Sequence, residues 1–250
     1  METIAKKGSR KKLQLDDMEF DLPPFPGFDK TALKFLKELK DNNNREWFTE
    51  RKSIYDDHLV EPMRLLLADL RRRFREEGLD YYPDPKKSIF RIYRDTRFSK
   101  DKKPYKTNVG AAVPFAGEQK EGIGNYIHLE PGTCFYGGGA YFMEPAGLRN
   151  LREKIAGDTA RVRAIIAKLE KEVGPLHGDK LKRGPAGFDK DHPAMDLLLY
   201  TQMWCSATFP DKLATSPELV DWLVEKTHQL NDFNSFLYEA IRGVKPKKKG

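Results

Sequence analysis

Cysteine is scarce in this chain of 250 residues, and long apolar runs are absent from it. Its two cysteines, Cys134 and Cys205, are too few and too far apart for a disulfide framework or a cysteine-based zinc site. No apolar run approaches the roughly 20 residues that cross a bilayer, and the basic N-terminus has no apolar segment behind it. We therefore expect a soluble, cytoplasmic protein with no membrane association, because free thiols are typical of a reducing compartment.

Familiar catalytic motifs are also missing. The five histidines have no metal-ligand spacing, and the patterns G-x-S-x-G, H-E-x-x-H and C-x-x-C do not occur. Residues 174–180 (GPLHGDK) resemble a phosphate-binding loop superficially, but the segment is one residue short and lacks the Gly-Lys-Ser/Thr ending. The sequence therefore predicts no metal and no cofactor. Whether the protein is an enzyme, and its oligomeric state, stay open.

Positive charge is unevenly distributed. The chain has a net charge of +7, yet residues 1–12 carry +4 and residues 241–250 carry +5. We expect a flexible basic arm over residues 1–20 and a flexible basic tail over residues 243–250, around a single α+β domain at 21–242. Within that domain, residues 91–106 hold seven cations and two carboxylates, whereas the rest of residues 13–240 sums to −7. The segment is a basic island in an acidic body.

Helical patterns occupy both ends of the chain. Asp29 is placed to cap a helix that runs to about Lys40, and Pro62 lies in the first turn of a later one. Ser216 and Pro217 open a long helix that reaches about Ile241. After the first helix, Asn42 suits a left-handed C-terminal position. Asn43 with Glu46 resembles a capping box that opens the next helix.

The middle of the chain has the composition of β-strands. Segments rich in β-branched and aromatic residues are separated by glycine and proline, and Glu130–Thr133 (EPGT) is a tight-turn signal. The predicted strands are Ser88–Tyr93, Asn108–Phe115, Ile123–Glu130 and Thr133–Phe142, with a possible fifth at Thr201–Thr208. The expected fold is α+β, with an antiparallel sheet of about four to five strands flanked by N-terminal and C-terminal helices.

The basic segment indicates a site for an anion. If residues 88–98 are extended, Arg94 shares a face with Phe90, Ile92 and Phe98, where a guanidinium needs an anionic partner. Arginine binds phosphate and carboxylate groups through two parallel hydrogen bonds. The candidate ligand-binding residues are Arg91, Arg94, Asp95, Arg97, Lys102, Tyr105 and Lys106, together with Gly137, Gly138 and Gly139 of a glycine-rich strand. The glycines either admit a ligand to the backbone or allow close packing.

The same segment resembles a family signature. The spacing R-x-x-R-D-x-R-F-x-x-D-K-x-x-Y, from Arg91 to Tyr105, is similar to that of the microbial family known as domain of unknown function 2461. The resemblance extends from about Phe28 to Leu237 and includes residues 43–48 (NNREWF). It implies a soluble protein of this size and no established activity.

Three functions remain open. In the first, the island binds a phosphorylated or carboxylated small molecule. In the second, it forms a nucleic-acid-binding module with the basic tails and aromatic residues such as Tyr93 and Tyr105. In the third, it is a structural network of Arg–Asp pairs. Asp95, Asp101 and Tyr105 are the candidate acid–base groups near the arginines, and none has the signature of a known mechanism. His128 and Glu130 share a strand face. They form an acid–base pair, half a metal site or a satisfied surface pair, and we favour the last interpretation.

Overall fold

A computed structural model describes residues 22–117 and 122–242. The predicted arm and tail lie outside the described residues, and the single-domain assignment stays a prediction. The helices described are α1 (Lys30–Asp41), α2 (Arg45–Glu50), α3 (Lys52–Tyr55), a π-helical turn (Asp56–Val60), α4 (Glu61–Glu76), α5 (Pro145–Gly157), α6 (Thr159–Glu172), α7 (Met195–Leu198), α8 (Asp211–Ala214) and α9 (Leu219–Arg242). The strands are β1 (Val109–Pro114), β2 (Ile123–Leu129), β3 (Phe135–Ala140) and β4 (Met203–Thr208).

The four strands form one antiparallel sheet in the order β1-β2-β3-β4. β1 pairs with β2, β2 with β3, and β3 with β4, which joins the sheet only after the intervening helices. The sheet lies mid-chain between N-terminal and C-terminal helices, so the predicted α+β class is confirmed.

The predicted strand Ser88–Tyr93 is the main difference. It makes isolated bridges instead of a continuous ladder, and the fourth strand of the sheet is β4, inside the predicted Thr201–Thr208. Phe90 N–H donates to Gly110 O (2.9 Å) on β1, but Ile92 O accepts from Lys106 N–H (2.8 Å) instead. The chain therefore leaves β1 after Phe90, because its next backbone partner is a later part of the same segment.

One face of the sheet packs against α9, and a buried chain of hydrogen bonds joins the two. Asn234 of α9 donates to Asn125 Oδ1 (2.7 Å) on β2 and to the hydroxyl of Tyr81 (2.9 Å). Asn125 donates to the hydroxyl of Tyr136 (2.8 Å), which also contacts Thr227 Oγ1 of α9 (2.8 Å). Buried polar groups require such partners, so these hydrogen bonds also fix the position of α9 on the sheet.

The N-terminal helices follow the predicted pattern in part. Asp29 caps α1 by accepting from Ala32 N–H (2.9 Å), and Pro62 lies in the first turn of α4, as expected. The predicted roles of Asn42 and Asn43 are wrong. Asn42 has φ −115° and is not left-handed, and Asn44 is the residue that caps α2, by accepting from Trp47 N–H (3.0 Å). The side chain of Asn43 is used elsewhere.

Candidate anion-binding site

Residues 91–106 form a loop with two paired arms, which we call the basic finger. Lys106 N–H donates to Ile92 O (2.8 Å) and Arg94 N–H donates to Pro104 O (2.9 Å), with a bridge between Tyr93 and Tyr105. The arms leave the sheet next to β1, and the chain between them turns back at residues 95–103. The finger is therefore a hairpin-like extension of the sheet edge.

The turn between α1 and α2 braces the finger. Asn43 Nδ2 donates to Tyr105 O (2.9 Å), and Tyr105 N–H donates to Asn43 Oδ1 (3.0 Å). The ring of Tyr105 is buried and stacks on Phe48 of α2 with 4.2 Å between centroids. Tyr105 was a candidate ligand donor or base-stacking residue, but these contacts give it a packing role.

Carboxylates within the finger already occupy two of its three arginines. Arg94 Nη1 donates to Asp101 Oδ2 (2.6 Å) and to Lys103 O (3.2 Å). Arg97 binds Asp95 through two hydrogen bonds, from Nε (3.0 Å) and Nη2 (2.7 Å). The Arg97 side chain lowers the pKa of Asp95, while the backbone N–H of Lys103 and then Arg94 lower the pKa of Asp101. These pairs match the structural interpretation for the four residues involved.

The predicted alternation of faces along residues 88–98 fails beyond Ile92. Ile92 is buried, but Phe98, expected on the same face, is 95% exposed. Arg94 is partly buried, and the chain turns after it instead of staying extended. Its anionic partner is Asp101 of the same finger. Lys102 is likewise engaged, since its Nζ donates to Thr96 O (3.0 Å).

Arg91 and Lys106 differ from Arg94 and Arg97. In the described part of the chain, neither has a carboxylate within ion-pair distance. Lys106 is half-buried, and its Nζ lies 5.6 Å from the centroid of the Phe90 ring. Burial lowers the pKa of Lys106, and the positive charge of Arg91 lowers it further. Two cations therefore lie near each other with no carboxylate at ion-pair distance among the described residues, and Asp95 interacts with Arg91 only through the longer-range charge effect that helps lower the pKa of Asp95.

A row of rings continues from this pair across the sheet face that points away from α9. Phe90 contacts Tyr126 (5.7 Å between centroids), Tyr126 contacts Phe135 (5.8 Å), and Phe135 stacks on His128 (4.5 Å). Tyr126 lies directly over Gly110, where an added Cβ would be 2.2 Å from the tyrosine hydroxyl. Phe90, next to Lys106, is the most exposed of these rings at 47%.

His128 and Glu130 do meet on this face. His128 Nε2 lies 3.4 Å from Glu130 Oε2, and Nδ1 lies 3.2 Å from the Tyr126 hydroxyl. Burial lowers the pKa of His128 although Glu130 opposes the shift, so the ring is neutral near pH 7. Thr107 donates to Glu130 Oε1 (2.7 Å) and helps lower the pKa of that carboxyl against the effect of burial. Both ring nitrogens have partners, as in the satisfied pair that the sequence favoured.

The glycine strand has packing reasons for its missing side chains. A Cβ at Gly138 would lie 2.2 Å from Asn125 Oδ1, and one at Gly137 would lie 2.6 Å from Cys205 O. Gly139 has φ +139°, and its Cβ would lie 2.2 Å from Met203 O. All three glycines are buried. Close approach of strands and of the Asn125–Asn234 pair accounts for them without a ligand.

Two residues important here were not recognised as site residues from the sequence. Phe90 was considered only for its place in the alternation, and its contact with Lys106 depends on the chain leaving β1. Asn43 was assigned to capping, and its bond to Tyr105 joins residues 62 positions apart. The only sequence signal for Phe90 is its position between the cations Lys87 and Arg91, because its exposure appears only in the structure.

The described chain is thus an α+β protein whose antiparallel meander is backed by a long helix and extended by a basic finger. It belongs to the family described as conserved hypothetical protein (DUF2461), whose model matches residues 31–236. This match confirms the resemblance seen in the finger and in residues 43–48. No curated protein matches the chain. Within residues 22–117 and 122–242, no helix has the length and apolarity to span a membrane.

Proposed function

We propose that the protein binds the anionic group of a small molecule, a phosphate or a carboxylate, at Arg91 and Lys106. The observation that supports the proposal is the contrast within the finger. Arg94 and Arg97 each have a carboxylate, whereas Arg91 and the half-buried Lys106 have none in the part of the chain that is described. The proposed site is therefore smaller than the predicted one.

An anion would relieve the repulsion between these two cations and the partial desolvation of Lys106. A charge-assisted hydrogen bond contributes roughly 1.5–3 kcal/mol, so two of them correspond to binding in the millimolar to tens-of-micromolar range. The half-exposed ring of Phe90 lies beside Lys106 and offers apolar surface to the organic part of the ligand. The site thus favours an organic phosphate or carboxylate over the free inorganic ion.

The structural interpretation and the binding interpretation apply to different residues. Arg94–Asp101 and Asp95–Arg97 are internal pairs that shape the finger, and Arg91 and Lys106 are the proposed contacts. No reaction is proposed. Location in the cytoplasm stays a prediction, supported by Cys134 and Cys205, which are both free and buried.

Calorimetric titration with AMP and with citrate tests the proposal on the full chain. We expect wild type to bind at least one of them, and Arg91→Ala or Lys106→Met to lose at least about tenfold in affinity. Arg97→Ala is the matched control, because its guanidinium is exposed and already bound to Asp95, and its affinity should stay within about twofold of wild type. Equal affinities in all four proteins, or no binding by wild type, would refute the site.

A further inference from the structure

Phe98 is the most exposed large apolar side chain among the described residues, at 95%. Isolated exposed apolar residues are common and need no explanation by themselves. Phe98 differs because the turn that carries it is held by specific contacts. Arg94 binds Asp101 across the turn, Asp95 accepts from Arg97 N–H (3.2 Å), and Lys102 binds Thr96 O (3.0 Å). These contacts hold the turn in a conformation that projects the Phe98 ring into solvent.

Two more rings of the same region keep about half of their surface in solvent. Tyr93 is 52% exposed and Phe90 is 47% exposed. Cations alternate with these rings along the chain, and Lys100 resembles Arg91 in having no carboxylate partner in the described residues. The finger therefore presents flat aromatic surfaces among positive charges, in a protein body that is otherwise acidic.

This chemistry fits single-stranded nucleic acid better than other anionic partners. Every unpaired base has a flat face for stacking on an aromatic ring, and the phosphates between the bases match the interleaved cations. A membrane surface is less suitable, because insertion needs a contiguous apolar wedge. Here the rings are separated by charged residues along the chain, so the finger presents no such wedge.

We infer that the finger binds single-stranded nucleic acid, with Phe98 and Tyr93 stacking on bases and Arg91 and Lys106 holding a backbone phosphate. The inference rests on the proposed anion site and changes its ligand from a small molecule to a nucleic acid, whose phosphodiester takes the place of the anionic group. The braced turn keeps Phe98 projected before binding, so less conformational entropy is lost when a base stacks on it.

Fluorescence anisotropy of labelled twelve-nucleotide poly(dT) and poly(U) tests the inference on the full chain. Phe98→Ala should weaken binding about tenfold, which lies within the range for loss of one stacked base. Tyr141→Ala is the matched control, because Tyr141 is 68% exposed but lies outside the finger, and it should change affinity less than twofold. The basic termini are common to wild type and both variants, so their contribution cancels.

The outcomes separate this inference from the anion site. If Phe98→Ala binds the oligonucleotides like wild type, or if they bind no tighter than AMP, the inference is wrong while the AMP titrations still decide the anion site. If oligonucleotides fail to bind and vesicles with 30% phosphatidylserine bind in a Phe98-dependent way, the partner is a membrane and the inference is also wrong. Thermal unfolding of each variant checks that its fold is intact.

Discussion

Asn43 pairs with the backbone of Tyr105 as a neighbouring strand residue would, donating to the carbonyl (2.9 Å) and accepting from the N–H (3.0 Å). One side chain thus connects the α1–α2 turn to the basic finger. The stacking of Phe48 on Tyr105 acts at the same point. The two sequence patterns that carry the family resemblance, residues 43–48 and 91–105, therefore meet in space and form one structural unit.

The first prediction concerns that connection. Asn43→Ala should lower the free energy of unfolding by about 1–3 kcal/mol, because the two half-buried backbone groups of Tyr105 lose their partners. Urea denaturation measures the change. Asn42→Ala is the control, since its side chain makes one exposed hydrogen bond to Glu38 O, and it should cost less than about 1 kcal/mol. Equal effects of the two substitutions would show that the bond to Tyr105 contributes little.

A second prediction concerns the glycine strand. Gly138→Ala should destabilise the protein by about 1–3 kcal/mol, because the new methyl group would overlap Asn125 Oδ1 and disturb the buried amide pair under α9. Gly157→Ala is the control at the end of α5, where nothing lies within 4 Å of an added Cβ. It should be neutral or stabilising by up to about 1 kcal/mol. A tolerated Gly138→Ala would reopen a ligand role for this strand.

Most elements of the fold were predictable from the sequence, and one predicted strand was not formed. Helices α1 and α4 were predictable because their apolar residues recur with helical period and their first turns carry Asp29 and Pro62. The sheet was predictable from β-rich segments between turns. Ser88–Tyr93 has the same composition, but its pairing with β1 ends after Phe90, and composition contains no information about where a partner changes.

The site was harder to predict than the fold, for a physical reason. The predicted face of Arg94 assumed an extended chain, and the turn after Arg94 removes the regular alternation of side chains for the residues that follow, Arg97 included. The partners of these arginines, Asp101 and Asp95, were visible in the sequence, but their distances were not. The role of Asn43 depends on a long-range contact that no local pattern encodes.

A third prediction uses the lowered pKa of His128. Its usual value is 6.5, and burial disfavours the protonated ring in the folded protein. Between the lowered pKa and 6.5 the unfolded chain binds a proton that the folded chain does not, so the free energy of unfolding falls as the pH drops through this window. His128→Gln should remove this contribution and flatten the pH dependence there.

Urea denaturation of wild type and His128→Gln from pH 7.5 to pH 5 measures the difference. The substitution should destabilise the protein more at pH 7.5 than at pH 5. The ion pairs of His58 and His228 are present in both proteins and cancel in the comparison. Parallel pH profiles would mean that His128 is protonated as easily in the folded protein as in the unfolded chain.

The last prediction concerns order in the finger. Arg94 connects the two sides of the turn through Asp101 and Lys103 O, whereas Arg97 makes short-range contacts with Asp95 and the Phe98 ring. Arg94→Gln should therefore speed amide hydrogen exchange at residues 95–103 a few-fold, and Arg97→Gln should change it less, because a short-range exposed pair contributes little. Exchange at Tyr105 should stay slow in both variants, since Asn43 still accepts from its N–H.

Mass spectrometry of peptides covering the finger measures these rates. If Arg94→Gln leaves exchange unchanged, the turn is ordered by its backbone alone, and the projection of Phe98 does not depend on the Arg94–Asp101 pair.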